Sequence, residues 1–114
     1  MARDCIFCKI VEREIPAEIV YETEDVLAFT DANPQAPVHI LVIPKAHIPD
    51  FNSIEQEQLY LLSSVGAAIQ ELANKFSLAD GYRVVNNCGE NGGQTVAHIH
   101  FHLLGGRKLG WPPG

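Results

Sequence analysis

The stretch HIHFHLLGG, residues 98–106, sets three of the chain's five histidines in alternation with Ile99, Phe101 and Leu103. Successive side chains on a strand point to opposite faces, so His98, His100 and His102 share one surface while the apolar residues enter a core on the other. At about 3.3 Å per residue, His98 and His102 lie about 13 Å apart along such a strand. One metal ion with nitrogen bonds of about 2.1 Å cannot take all three rings. The plain alternative is a strand whose polar face is solvated, since isolated surface histidines need no function. Three imidazoles in a row suit nucleophilic and acid-base work near neutral pH better than they suit a wet edge.

Working outward, NGGQT (91–95) precedes this strand and offers backbone amides, the Gln94 amide and the Thr95 hydroxyl to a phosphate, although Asn-Gly and Gly-Gly also mark ordinary turns. Further upstream, Gly81 restarts an extended pattern in YRVVNN, and CGENGGQ turns the chain. EIVYETEDVLAFTD reads as strands over 18–23 and 26–30 with a tight turn near Glu24 and Asp25. PVHILVIPKAH reads as a buried strand stopped by Pro44. Between the two groups, Leu59, Leu62, Gly66, Ile69, Ala73 and Phe76 recur at helical spacing behind a Ser53–Gln56 capping box, which predicts one long helix over about 54–77. Strands joined by hairpin-length connections and one helix predict a single α+β domain over 1–114, with an antiparallel five-stranded sheet.

Composition narrows the partners. With 114 residues and 46% hydrophobic content the chain supports one core. A formal net charge of −6 leaves no basic stripe for polymeric DNA or RNA, while a small anion held by histidines and backbone amides stays compatible. No apolar run is long enough for a membrane span, and the charged start MARDCIFCKIVEREIP lacks the apolar segment of a signal peptide, so a cytoplasmic protein is expected. Three cysteines, two of them in CIFC, then read as thiols or metal ligands rather than as a disulfide framework. Cys5 and Cys8 with two distant histidines would make a four-ligand zinc arrangement; the alternative is two small hydrophobes on one turn of a short N-terminal helix. Cys88 has no evident partner.

GGQTVAHIHFHLLGGR resembles the signature of the histidine triad (HIT) family, and the terminal WPPG is similar to the tail of its Hint-like branch, the histidine triad nucleotide-binding proteins. DCIFCKIVEREIPA, DANPQAPVHILVIPKAHI and GYRVVNNCGENGGQT extend the similarity over nearly the whole chain. The resemblance implies a HIT-like fold, a homodimer joined sheet edge to sheet edge, and hydrolysis of purine nucleoside phosphoramidates or acyl-nucleotides such as aminoacyl-AMP. It makes His100 the nucleophile that forms a nucleotidyl-histidine, with His102 and His39 donating to phosphoryl oxygens and Thr95 and Gln94 contacting phosphate or leaving group. His39 meets that role only if its strand neighbours the last one. The resemblance further places Asp31 on the ribose hydroxyls, Phe7, Ile10 and Phe29 around the base, and Asn86 and Gly93 by the phosphate. Core packing is the alternative for the three apolar residues, and turn formation for Asp31 and Asn86. With His39, His100 and His102 so assigned, His47 and His98 are left to join Cys5 and Cys8 as zinc ligands, and many bacterial-type relatives resemble this chain in carrying such a structural site, not needed for the chemistry. Cleavage of dinucleoside polyphosphates, as in the Fhit branch, and nucleotide binding without catalysis are the rival readings. Thr95 stands where Hint relatives often have serine, and Leu109-Gly110 lacks a histidine that some of their tails carry.

Overall fold

The structure is a computed structural model that describes residues 4–114. After a short helix α1 (Ile6–Val11) come strands β1 (Ile19–Glu22), β2 (Val26–Thr30) and β3 (Val38–Pro44), the long helix α2 (Tyr60–Lys75), then β4 (Tyr82–Val85) and β5 (Phe101–Gly105). All neighbours are antiparallel in one five-stranded sheet of order β1-β2-β3-β5-β4. The α+β class and the five-strand count expected from the pattern are both observed.

The alternation of apolar residues sorts them onto two faces. Val26, Ala28, Ile40, Val42, Phe101 and Leu103 pack under α2 through Val65, Ala68, Ile69 and Leu72. Leu27, Phe29, Leu41 and Ile43 emerge on the opposite face and are covered by Phe7 and Ile10 of α1. β3 runs nearly all buried because both of its faces are covered. The turn between β1 and β2 is closed by Thr23, whose hydroxyl accepts from the Asp25 and Val26 amides at 3.3 and 3.1 Å.

Two local expectations are corrected. The region 54–77 is not one helix: single 3-10 turns at Phe51–Ser53 and Gln56–Gln58 precede α2. Ser53 does not cap it; Asp50 accepts from the Ser53 amide and hydroxyl at 2.9 and 2.8 Å, and the capping box forms between Glu55 and Gln58. A carboxylate three residues upstream outcompeted the sequence-adjacent pairing. The last strand also starts later than the alternation over 98–106 predicts, at Phe101, because residues 95–100 leave the ladder and Ile99 instead donates to Ile48 O at 2.7 Å. The side-chain alternation nonetheless persists: Ile99 is buried with the α2 core while the rings of His98 and His100 meet Phe7 on the other side.

Candidate active site and metal-ligand cluster

β3 and β5 are adjacent, so the condition on His39 is met. The register pairs Leu41 with His102 and His39 with Leu104, which sets His39 and His102 diagonally on the α1 face of the sheet. His39 Nε2 lies 2.9 Å from His102 Nδ1, and the rings of His100 and His102 are 5.2 Å apart. Far from forming a wet face, His98 and His100 are 0% and 4% exposed and His39 is 7% exposed.

Backbone groups decide which nitrogen carries each proton. His100 Nδ1 is 2.7 Å from His98 O, and a carbonyl only accepts, so the proton sits on Nδ1 and Nε2 keeps a lone pair. The Gln35 amide donates to His39 Nδ1 at 3.0 Å, so the proton of a neutral His39 sits on Nε2 and faces His102 Nδ1. His102 accepts there and is left with Nε2–H as its own donor. Burial lowers the pKa of His39, opposed by the Asp31 carboxylate 3.4 Å from its Nε2, and burial with the neighbouring His100 and His39 lowers that of His102. Both rings are thereby favoured as neutral.

The remaining expected site residues surround this row. Asn86 Nδ2 donates to His100 O at 2.9 Å and so fixes the backbone of the central histidine. Asp31 both turns the chain, accepting from the Asn33 amide at 2.8 Å, and faces His39. Phe7, Ile10 and Phe29 are buried in the α1-side core, with the Phe7 ring edge-on to His100 at 5.1 Å. Gln94 is spent as a loop staple: its Nε2 donates to Pro49 O and Val96 O at 2.7 and 2.9 Å, and its Oε1 accepts from the Gly89 amide at 2.9 Å. The Gly93 and Gln94 amides close the same loop on Glu90 O and Gly89 O, so these two are not open to a phosphate. Thr95 is exposed at the end of this loop, in a cleft of about 360 Å³ shared with Cys5, His47 and Val96.

On the far side of His100 the second cluster is assembled from three parts of the chain. Cys5, Cys8, His47 and His98 bring one donor atom each within 4.8 Å of one another. Sulfur to nitrogen distances are 3.2 Å (Cys8–His47), 3.4 Å (Cys5–His98) and 3.6 Å (Cys8–His98). Tetrahedral zinc, with bonds of about 2.3 Å to sulfur and 2.0 to 2.1 Å to nitrogen, separates such donors by about 3.5 Å. His98 Nε2 lies 2.8 Å from Pro44 O, which holds the proton there and presents Nδ1 to the thiols, as an oriented metal ligand requires. The donor set therefore fits a tetrahedral ion. With protons in its place, burial and the adjacent Cys5 raise the Cys8 thiol to about 11. Asp31, His39 and His102 also bring donors within 4.8 Å, but their nitrogens are joined by a proton and His39 Nδ1 is already taken by Gln35, so this set is a hydrogen-bond relay. Cys88 is a free thiol in the loop after β4.

Residues 12–109 match the model of the HIT domain. The chain belongs to the HIT family. A HIT-like protein of Synechococcus elongatus is 54% identical over 114 residues, all of both chains. The crystal structure of a HIT family hydrolase from Legionella pneumophila superposes with a TM-score of 0.94 at 49% identity, covering 96% of this chain and 99% of that one. The histidine triad nucleotide-binding protein of Candida albicans superposes at 0.81 with 34% identity, over 96% of this chain and 84% of that one. A backbone carbonyl on the nucleophile's own segment is what an unprotonated His100 requires in this HIT chain, and His98 O supplies it; the groups missed by sequence reasoning are the main-chain Gln35 N–H and Pro44 O, which leave no side-chain signature. The two prolines flanking Gln35 in NPQAP are the one hint of a rigid loop there.

Proposed function

We propose that this HIT protein is a nucleotide hydrolase that cleaves purine nucleoside phosphoramidates or acyl-nucleotides, such as AMP phosphoramidate or aminoacyl-AMP, by double displacement through His100. The observation that carries the reading is the 2.7 Å contact of His100 Nδ1 with His98 O, which leaves Nε2 as an unprotonated nucleophile. That lone pair attacks the α-phosphorus, the bond to the leaving group breaks with its electron pair passing to the amine nitrogen, which takes a proton from solvent, or to the carboxylate oxygen, and a nucleotidyl-histidine forms. Water then opens the new phosphorus–nitrogen bond and releases the nucleoside monophosphate. His102 Nε2–H, backed by His39, donates to a phosphoryl oxygen as charge builds. Thr95 Oγ1 is the available hydroxyl for phosphate or leaving group, and Gln94 serves by holding its loop. Asp31 takes the ribose hydroxyls, the edges of Phe7, Ile10 and Phe29 take the base, Asn86 holds the backbone of the nucleophile, and Gly93 serves, like Gln94, by closing the loop. Names carried by similar proteins, a hydrolase and a nucleotide-binding protein, support the same class.

Cys5, Cys8, His47 and His98 hold structural zinc in this reading; the ion would tie α1 to the sheet and take no part in turnover. The functional unit is a homodimer joined at the open edge of β4, where Tyr82 and Val84 are 42% and 44% exposed. The decisive experiment follows amine release from an adenosine 5′-phosphoramidate, with His100→Ala run beside the wild type. Release that disappears in the variant is expected. A folded wild type that binds AMP and releases no amine would sink the hydrolase reading.

A further inference from the structure

The row of histidines is organised from outside the triad. Arg107, exposed after β5, donates through Nη2 to Gln35 O at 2.9 Å. The amide of the same residue donates to His39 Nδ1 at 3.0 Å, and His39 Nε2 meets His102 Nδ1 at 2.9 Å. The loop between β2 and β3 is otherwise braced by Asp31 on the Asn33 amide and by Gln35 Nε2 on Asn33 O at 3.0 Å. Gly106, with φ +89°, brings its Cα side against Pro37 so closely that a Cβ would stand 2.9 Å from Pro37 Cβ. Loop and strand end are thus packed and hydrogen-bonded as one piece.

We propose that Arg107 and the Gln35 amide are positioning residues that lock the tautomers of His39 and His102, so that His102 presents Nε2–H to the reacting phosphate. A neutral imidazole has one proton and two nitrogens. An N–H fixed opposite His39 Nδ1 forbids the proton there, because two donors would face each other across 3.0 Å. The proton moves to His39 Nε2, occupies the lone pair of His102 Nδ1, and forces the second ring's proton to Nε2. Without the amide, either tautomer pair satisfies the His39–His102 bond, and one of the two turns a lone pair toward a phosphoryl oxygen, where it repels. Arg107 enters because it holds Gln35 from its carbonyl side; its guanidinium touches neither ring.

The tautomers do not depend on the hydrolase reading, whereas the effect on turnover rests on it. Gln35→Pro deletes the amide donor and the side-chain bond to Asn33 O, Gln35→Ala deletes only the latter, and Arg107→Ala releases the loop. Ring tautomers are read by long-range proton–nitrogen NMR on protein labelled with ¹⁵N-histidine, together with release from the phosphoramidate. In the wild type and in Gln35→Ala, His39 and His102 are expected as Nε2–H forms and His100 as the Nδ1–H form. In Gln35→Pro the first two become mixed or inverted while His100 stays, and kcat falls about tenfold or more with KM held. Arg107→Ala moves both readouts the same way by a few-fold, and Arg107→Lys recovers part of the loss. Lys108→Ala, the neighbouring cation, changes neither.

A folded Gln35→Pro protein with wild-type tautomers overturns the lock. Where that variant fails to fold, Arg107→Ala decides alone, and an unchanged pattern overturns it equally. Unchanged tautomers beside His100-dependent turnover remove the lock and keep the hydrolase. Altered tautomers in a protein family member with no turnover keep the lock and remove the hydrolase.

Discussion

Protons in this site are placed by main-chain groups that cannot titrate, directly at His100 and His39 and through His39 at His102. His98 O leaves His100 with an open nitrogen, and Gln35 N–H leaves His102 with a donor. Burial adds a pH range to that arrangement. The pKa values of His39 and His102 lie below the ordinary histidine value of about 6.5. Between that value and the lowered ones the unfolded chain binds protons that the folded chain refuses, so stability is fully present above about 6.5 and falls as pH drops toward the folded values. Turnover is expected to follow the same direction, with the acid limb of kcat/KM below pH 6.5. A rate profile joined to thermal melts at several pH values checks both, and an acid limb above pH 7 contradicts the assignment of these two rings as neutral. At this scale the sequence named the histidines, the cysteines and Asn86, and the chemistry of a nucleophilic imidazole called for a carbonyl beside His100, but nothing in it pointed to the Gln35 amide on His39 or to Pro44 O on His98.

β5 carries His102 into the site, and the loop after it braces the turn that orients His39. Leu103 anchors the strand in the α2 core with 0% exposure, and His102 stands on the other side of the same backbone. Gly106 then reverses the chain against Pro37. Replacing Gly106 by alanine combines a left-handed backbone penalty with a steric overlap, for a loss of about 2 to 4 kcal/mol. Denaturant titration of Gly106→Ala is expected to show that loss, together with reduced turnover through the displaced Pro37 loop; wild-type stability would refute the packing account. Alternation over 98–104 made the sheet faces legible, since it survives even where residues 95–100 leave the ladder. The start of α2 was not legible, because a 3-10 turn and an α-turn share the same apolar spacing over three or four residues, and which caps form depends on distances across the loop.

For the whole molecule, the cluster of Cys5, Cys8, His47 and His98 joins α1, the segment after β3 and the approach to β5. Zinc present at about 100 times its Kd stabilises the folded form by about 2.7 kcal/mol, which corresponds to about 10 °C in melting temperature for a domain of this size. Cys8→Ser is expected to lose bound zinc in elemental analysis and to melt lower by about that amount, with amide exchange accelerated first over 5–11. An unaltered zinc content refutes the ligand set. The open edge of β4 makes a second prediction at this scale. Val84→Arg puts a charge among exposed apolar residues of that edge and is expected to turn a dimer into a monomer in sedimentation experiments; a wild type that sediments as a monomer excludes the edge-to-edge assembly. Among the described residues no helix is long and apolar enough to cross a membrane.

By itself the sequence determined what a period of two and a set of unusual residues can determine: an α+β chain, the faces of its strands, the HIT resemblance, and the identities of the imidazoles and thiols. Those are local properties, fixed by covalent order and side-chain chemistry. Tertiary structure alone decided that β3 and β5 are neighbours, that His47 and His98 converge on Cys5 and Cys8 from 39 and 90 residues beyond Cys8, and that one backbone amide at Gln35 reaches His39. Adjacency and proton placement depend on distances between segments far apart in the chain, and main-chain donors and acceptors are the same at every residue until the fold brings one of them to a ring.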